Sequence, residues 1–465
     1  MAFPPSLDDA TKQVHSLLNN LHNPLRLARC GADAAMLVAS ASMQHPDWTL
    51  DRAICHQFDL ILKQLRQVEP TYADLLHGRF WERQNVTQMV TSQRPLAQSE
   101  RSFYNQQNAA IVRFTQQLLQ AESEARQLDH VNRLSARLPL ASYAQLFGVE
   151  NIVNTLVDQL ADAAQHQILC IKGIGGIGKT ALADQAVRRF IPQATSLRNL
   201  VWITAKQTYL TEAGIHGQGG QVRLEQLFDE LGSKLELAEV LRLPLAQKVE
   251  KLATPLRAEP HLVVIDNLET VEDFRSLTPL LIQLAGPTKF LLTSRQTLPA
   301  LKRVGTVELG EMSRAVALRF IEHAAHAKDA RLVDAERLYD LVGGNPLAII
   351  LVVSQLAVAP EKVVYEGVRL GNLPDIYTYI YREAWRMLDD VARNVLFAIQ
   401  RAGDQADWHW LVTICAIPAS SLQNAIQQLL ALSLIQVQQD AKDRRIYAIH
   451  RLTSTFLCAE VLAWK

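Results

Sequence analysis

The sequence predicts a multidomain α/β chain in which a doubly wound parallel sheet is preceded by an all-α domain and followed by a winged helix. Three observations predict it. A short apolar run, 168–171, enters a glycine-rich turn that opens a helix. Three further apolar runs follow at intervals suited to parallel strands, and residues 7–127 are poor in glycine, with polar and apolar positions mixed at helical spacing.

Composition narrows the class. The chain has 465 residues, 48% of them hydrophobic, which is enough for about three cored domains. Lys plus Arg and Asp plus Glu both number 47, so no global field draws the chain onto nucleic acid or an anionic membrane, and any such binding is local. Cys30, Cys55, Cys170, Cys415 and Cys458 are scattered and never in C-x-x-C spacing, which suggests neither a disulfide framework nor a zinc site. A reduced, cytoplasmic compartment fits this usage. The first residues lack the basic and apolar regions of a signal peptide. The most apolar stretch, 346–360, is too short to span a bilayer and reads as a core helix, so no membrane is expected.

In the first domain, 1–130, Pro70 sits at the first position of a helix expected over 71–81, where its missing N–H costs little. A short helix is expected near 85–91. Ser99 then offers an N-cap for a long helix over 100–121 carrying Phe103, Ile111, Phe114 and Leu118 on one face. The order of LLHGRFWERQNVTQMV and AQSERSFYNQQNAAI resembles the helix-turn-helix of sigma factor region four. That resemblance implies a DNA reader with Arg101, Ser102, Asn105 and Gln106 toward base edges and Arg94 and Arg113 near phosphates. Asp74, Glu82 and Glu100 thin the basic footprint, so a helical adaptor that uses the same shape for protein contacts stands as the alternative. Residues 131–145 read as a linker.

The stretch ILCIKGIGGIGKTALA, 168–183, is the centre of a domain expected over 146–312. It follows the G-x-x-x-x-G-K-T pattern of a phosphate loop. Gly173, Gly175, Gly176 and Gly178 can take backbone angles that let main-chain N–H groups converge on phosphate oxygens. Ile177 and Ala181 complete the loop and the first helical turn. Lys179 supplies a charge for the β- and γ-phosphates, the Thr180 hydroxyl can hold Mg²⁺, and the helix that follows aims its positive end at the same anion. The loop by itself therefore predicts a nucleotide phosphate chain held with Mg²⁺. Strand-like runs follow at 200–204, 261–266 and 289–294. In the second, four apolar residues bury the strand and Asp266 emerges at its tip to hold the metal. In the third, Arg295 sets a cation where a γ-phosphate could be sensed.

This order and wording resemble the NB-ARC class of STAND (AP-ATPase) P-loop NTPases, in the form of bacterial AfsR-like regulators. The stretch LVGGNPLA, 341–348, is similar to the family's GLPLA motif, which implies that Pro346 packs near the adenine and that 313–375 forms a helical lid. Phe147 and Val149 fall in the family's adenine-side hhGRE motif. Residues 376–465 read as a winged helix, with helices near 384–401, 407–416 and 420–432 and strands at 434–439 and 445–449. His450 then stands where the family carries a histidine that contacts the β-phosphate of ADP.

Three departures matter. Val149 replaces the usual arginine, Arg451 replaces the aspartate after His450, and Asn267 stands where many relatives have a second acid. An amide cannot take a proton, so Glu269 is the candidate substitute base and hydrolysis should be slow. With Lys179, Asp266, Glu269 and Arg295 as catalytic candidates, the resemblance implies an ADP/ATP-gated switch that oligomerises on activation and drives its N-terminal output domain in signalling or transcription. Relatives continue into a repeat sensor, so a sensor domain or sensor partner is expected beyond Lys465. Two alternatives remain: a defence effector that does not touch DNA, and an AAA-type DNA-loader ATPase.

Overall fold

The computed structural model describes residues 6–29, 35–92, 99–162, 164, 166–173, 176–205, 209–211, 214–216, 223–268, 271, 274–294, 304–328, 334–369, 385, 388–432, 434–439, 444–449 and 457. The chain divides into two units, Met1–Arg133 and Leu134–Lys465.

The described elements of the first unit are all helical. Helix Leu50–Val68 turns one apolar stripe inward, with Ile54, Phe58, Ile61, Leu62 and Leu65 buried. The Phe58 ring meets Phe114 of the long helix edge to face at 5.3 Å. Pro70 opens a helix to Leu76 that passes into a π-helical turn, His77–Trp81. The Ser99 hydroxyl accepts from the Ser102 N–H and caps the long helix. That helix runs from Glu100 to Ser135, well past the end expected near 121, so it takes in the first residues of the expected linker.

Tertiary contact explains the extension. Leu134 is buried, and Glu122, 4% exposed, accepts from the N–H groups of Met36 at 2.9 Å and Leu37 at 3.1 Å. Helix Met36–Gln44 begins at Ala35, which has no capping side chain, so a carboxylate from a remote helix does the capping. Arg126, one turn on, donates to the same carboxylate at 2.7 Å.

In the second unit β1 (Ile168–Lys172), β2 (Asn199–Thr204), β3 (Tyr209–Thr211), β4 (Gly214–His216), β5 (His261–Asp266), β6 (Lys289–Ser294) and β7 (Val304–Glu308) follow in sequence. Five of them form one sheet in the order β2-β5-β6-β1-β7, every pair parallel. All residues of β5 and β6 are buried, as a sheet covered on both faces requires. The expected doubly wound parallel sheet is present. β7 and the β3–β4 hairpin are additions to the sequence reading. β7, VGTVE, is short, carries a glycine and lacks a continuous apolar run.

The strand order positions the site. From β1 the chain crosses to β2, whereas from β6 it crosses in the opposite direction to β7. In an open α/β sheet such a reversal puts the ligand position at the carboxyl ends of the strands concerned, here β1 and β6. Because β6 lies between β1 and β5, its last residues stand between the glycine-rich turn and Asp266.

Beyond the sheet come helices Arg314–Ala327, Ala335–Val342, Pro346–Leu356 and Glu361–Arg369, then Asp390–Arg401, Trp408–Cys415 and Ala419–Ala431. The last three accompany a small antiparallel sheet in which β10 (Arg445–Ile449) lies between β8 (Gln405–Asp407) and β9 (Ile435–Gln439). One continuous hydrophobic cluster joins the two groups of helices, from Ala317, Ile349 and Val352 to Leu396, Leu429 and Ile449. Among the described residues no helix is long and apolar enough to cross a membrane.

Replacing Glu122 by Ala should lower the stability of the first unit by about 1–2 kcal/mol, the cost of leaving the helix at Met36 uncapped. The check is hydrogen exchange in the full chain, where amide protection at Met36 and Leu37 should fall before that at Phe114.

Candidate functional site

At the end of β1 the chain turns through Gly173 and enters helix Lys179–Phe190 at Gly178. Gly176 has φ +72° and Gly178 φ +103°, values that L side chains resist. Each glycine has a different reason to be one. A Cβ on Gly173 would stand 2.7 Å from the Leu309 carbonyl oxygen, because β7 runs past the turn. A Cβ on Gly176 would stand 2.8 Å from the Leu347 Cβ. Around Gly178 a Cβ would meet only open space, so there the backbone angle alone demands glycine.

The functional side chains converge from three elements. Lys179, 8% exposed, folds back so that its ammonium donates to the Gly173 carbonyl at 2.9 Å. The Thr180 hydroxyl donates to Asp266 Oδ1 at 2.7 Å, joining the start of the helix to the tip of β5. Thr293, on β6, donates to the same oxygen at 2.6 Å and accepts from the Asn267 N–H at 2.8 Å. Asn267 leaves the strand with φ +74°, a left-handed conformation that Asn tolerates better than most residues.

A second group of residues closes over the turn. Asn345 is 2% exposed, and its Oδ1 accepts from the Leu347 and Ala348 N–H groups at 3.1 and 3.3 Å. It thereby caps helix Pro346–Leu356, whose first position is Pro346. The approach of that helix is set by Gly344. A Cβ there would stand 2.1 Å from the Met312 carbonyl oxygen, and its N–H donates to Glu311 at 3.2 Å. Phe147 meets Phe320 and His323 of helix Arg314–Ala327, both at 5.2 Å between ring centres. Gly148 has φ +70° against Val316, and Val149 then begins helix Glu150–Ala161.

Behind the helix Lys179–Phe190, Asp184 is 3% exposed. It receives the Tyr143 hydroxyl at 2.7 Å and the Arg188 guanidinium at 2.7 Å, while Arg188 also donates to the Pro139 carbonyl at 2.6 Å. Burial, and then the bond to Asp184, push the Tyr143 phenol above its ordinary pKa, so it stays a proton donor at neutral pH. Part of the expected linker is thus fastened to the helix that would carry the phosphate.

The structure brings together Gly173, Gly176, Ile177, Gly178, Lys179, Thr180, Ala181 and Asp266; it sets Phe147 against helix Arg314–Ala327, places Val149 at the cap of helix Glu150–Ala161, and puts Pro346 at the start of the helix over the turn. Gly175, Glu269, Arg295 and His450 lie outside the described residues. Thr293, Asn345 and Leu347 were missed as site residues. Thr293 had a visible signal, a hydroxyl two positions before Arg295 at a strand end. Leu347 had none, because its part depends on the close approach of a distant helix.

The residues fit a nucleotide with Mg²⁺. The exposed Thr180 hydroxyl and the Asp266 carboxylate form a pair of hard oxygen donors, and the side-chain-free turn with an ammonium behind it suits a phosphate chain.

Residues 149–298 match the family model described as NB-ARC domain. The chain carries an NB-ARC domain. Strands β1, β2, β5 and β6, the glycine-rich turn and Asp266 fall inside the matched segment, and β7 lies beyond it. Among plant proteins of Arabidopsis thaliana, it is similar to Disease resistance protein RPP8, at 32% identity over 34% of this chain and 16% of that protein. Probable disease resistance protein RF45 is 28% identical over 34% of this chain and 14% of its own length. The chain therefore spans about one sixth of the length of these relatives.

Solved structures overlap more broadly and more loosely. A signal transduction ATPase with numerous domains (STAND) and a tetratricopeptide repeat sensor from Pyrococcus horikoshii covers 70% of this chain and is itself covered for 44%, at 15% identity and a TM-score of 0.45. A Walker-type ATPase of Pyrococcus abyssi covers 70% of this chain and 99% of its own, at 15% identity and a TM-score of 0.38.

Two substitutions separate angle from space in the NB-ARC loop. Gly178→Ala should cost about 1–2 kcal/mol of stability, for the left-handed angle alone. Gly176→Ala should cost more, because the Leu347 Cβ cannot rotate away, and thermal unfolding of the two variants measures the difference. Lys179→Ala should weaken ADP binding roughly 100-fold or more by calorimetry, on loss of charge-assisted bonds.

Proposed function

We propose that the chain is a STAND-type switch of bacterial AfsR-like kind. It holds ADP or ATP with Mg²⁺ at the NB-ARC site, hydrolyses ATP slowly, and oligomerises when ATP replaces ADP. The reading rests above all on one observation: Gly176 of the phosphate loop lies directly under Leu347 and Asn345, at the head of a helix whose core continues into the C-terminal helices and β8–β10. A change in the loop therefore presses on a body much larger than itself.

In this reading 313–375 is the lid and 376–465 a winged helix whose His450 contacts the β-phosphate of ADP. ADP stabilises the closed arrangement, and its exchange for ATP removes that preference. A hundredfold shift between closed and open populations needs roughly 3 kcal/mol of differential binding, within reach of one set of charge-assisted contacts. Lys179, Thr180 and Asp266 position and neutralise the phosphates, with Arg295 as the γ-phosphate sensor and Glu269 as the water-orienting group. A sensor domain or partner gates the exchange, and the setting is cytoplasmic.

The output passes through the N-terminal helical unit. One form of it is DNA binding by a helix-turn-helix, with Arg101 and Asn105 exposed at the start of helix Glu100–Ser135. Internal pairing of basic groups favours a second form, contact with protein. Arg113 pairs with Glu69 at 3.4 Å and Arg66 with Asp74 at 3.0 Å, which leaves less charge for phosphates.

Mass spectrometry of the purified chain should find ADP bound, and light scattering should find a larger particle with a non-hydrolysable ATP analogue than with ADP. A nucleotide-free protein of constant mass would refute the switch. His450→Ala should speed ADP release and raise spontaneous assembly; unchanged release would remove the latch. Labelled duplex titrated at low and moderate salt separates the two outputs, since only a DNA reader gives binding that falls steeply with salt.

A further inference from the structure

We propose that Thr293 is a positioning residue for the metal side of this site: its hydroxyl aims the Asp266 carboxylate and anchors the chain reversal at Asn267 that follows it. The inference rests on the reading of the site as one that holds Mg²⁺ with a nucleotide.

The chemistry fixes the direction of both bonds. A hydroxyl has one hydrogen, and the Asn267 N–H can only donate, so Thr293 Oγ1 accepts from Asn267 and gives its own hydrogen to Asp266 Oδ1. The two hydroxyls on that oxygen are not equivalent. Thr180 stands exposed at the start of the helix that follows the glycine-rich turn. Thr293 is 1% exposed on a strand hydrogen-bonded on both sides, with β1 and β5 as neighbours. Thr180 belongs to the helix that leaves the phosphate loop, whereas Thr293 is held by the sheet. It is the group able to keep the carboxylate in one orientation whether or not the loop is engaged.

The register makes the placement structural rather than fortuitous. Ile265 pairs with Leu292 across β5 and β6, which puts Asp266 beside Thr293 at the same level of the sheet. At that level the chain leaves β5 through the left-handed Asn267, and an unmet N–H there would be buried, since Asn267 is 4% exposed. One small hydroxyl thus meets the needs of two successive residues. Valine has nearly the same shape and can meet neither.

The test uses the full chain and ADP, titrated with and without Mg²⁺, for wild type, Thr293→Val and Thr293→Ser. Wild type should bind ADP more tightly with Mg²⁺ than without. Thr293→Val should bind metal-free ADP within about twofold of wild type and lose about tenfold of the Mg²⁺-dependent gain, the scale seen when a group supporting a metal ligand is removed. Thr293→Ser, which keeps the hydroxyl, should recover it. Thr293→Ala, with room for a water beside Asn267, is measured in parallel, so that the comparison survives if the valine chain does not fold. In an Asp266→Asn background, Thr293→Ala should cause no further loss of the gain. A wild type without any Mg²⁺-dependent gain would overturn the metal-site reading itself. A gain retained in the valine or alanine variant, or an equal loss of metal-free and metal-dependent affinity, would overturn the role of Thr293 alone.

Discussion

The carboxylate of Asp266, buried at the tip of β5, receives hydroxyl hydrogens from Thr180 on the phosphate-loop helix and Thr293 on β6. The rest of the site is arranged about that junction. A buried carboxylate is costly to desolvate, and two hydroxyl donors offset the cost while fixing its orientation. The sheet order makes this convergence possible: with β6 between β1 and β5, a single strand end reaches both the glycine-rich turn and the acidic tip. Had β1 and β5 been neighbours, Thr293 would have had no place in the site.

From that junction, packing carries the influence of the turn outward. Gly173 is pressed by the Leu309 carbonyl, Gly176 by Leu347, and Gly344 by Met312, so three backbone segments lie closer than any Cβ would allow. Such contacts cannot deform gradually, because the atoms involved are backbone or first side-chain carbons. Asn345 completes the arrangement by capping the helix that bears on the turn. The continuous core beyond it gives the helix something large to move with. On the other side of the phosphate-loop helix, Asp184 fastens Tyr143 and, through Arg188, Pro139. A displacement of that helix is therefore felt by the chain leading into it.

The first unit is organised by a different kind of contact. Its long helix serves as the spine of a helical core, with Phe103, Phe114 and Leu118 buried along one face and Glu122 capping a helix distant in sequence. Part of its charge is taken up internally by ion pairs such as Arg113 with Glu69.

The sequence by itself determined the parallel sheet, the glycine-rich turn with Lys179 and Thr180, and the acidic strand end at Asp266. These are local facts: an apolar run buries a strand, glycines permit a turn, and a polar residue ends the run. What only the tertiary structure decided is what meets what. β7 was illegible because a five-residue strand containing glycine has no periodicity of its own, and it is ordered by pairing with β1. The long helix runs past 121 because Glu122 finds partners far away in sequence, the Met36 and Leu37 amides. Thr293 and Leu347 read as an ordinary strand residue and an ordinary core leucine until strand order and helix approach set them against Asp266 and Gly176. Spacing along a chain specifies which groups can form a site, but strand order and close backbone approach select the neighbours that hold it in shape.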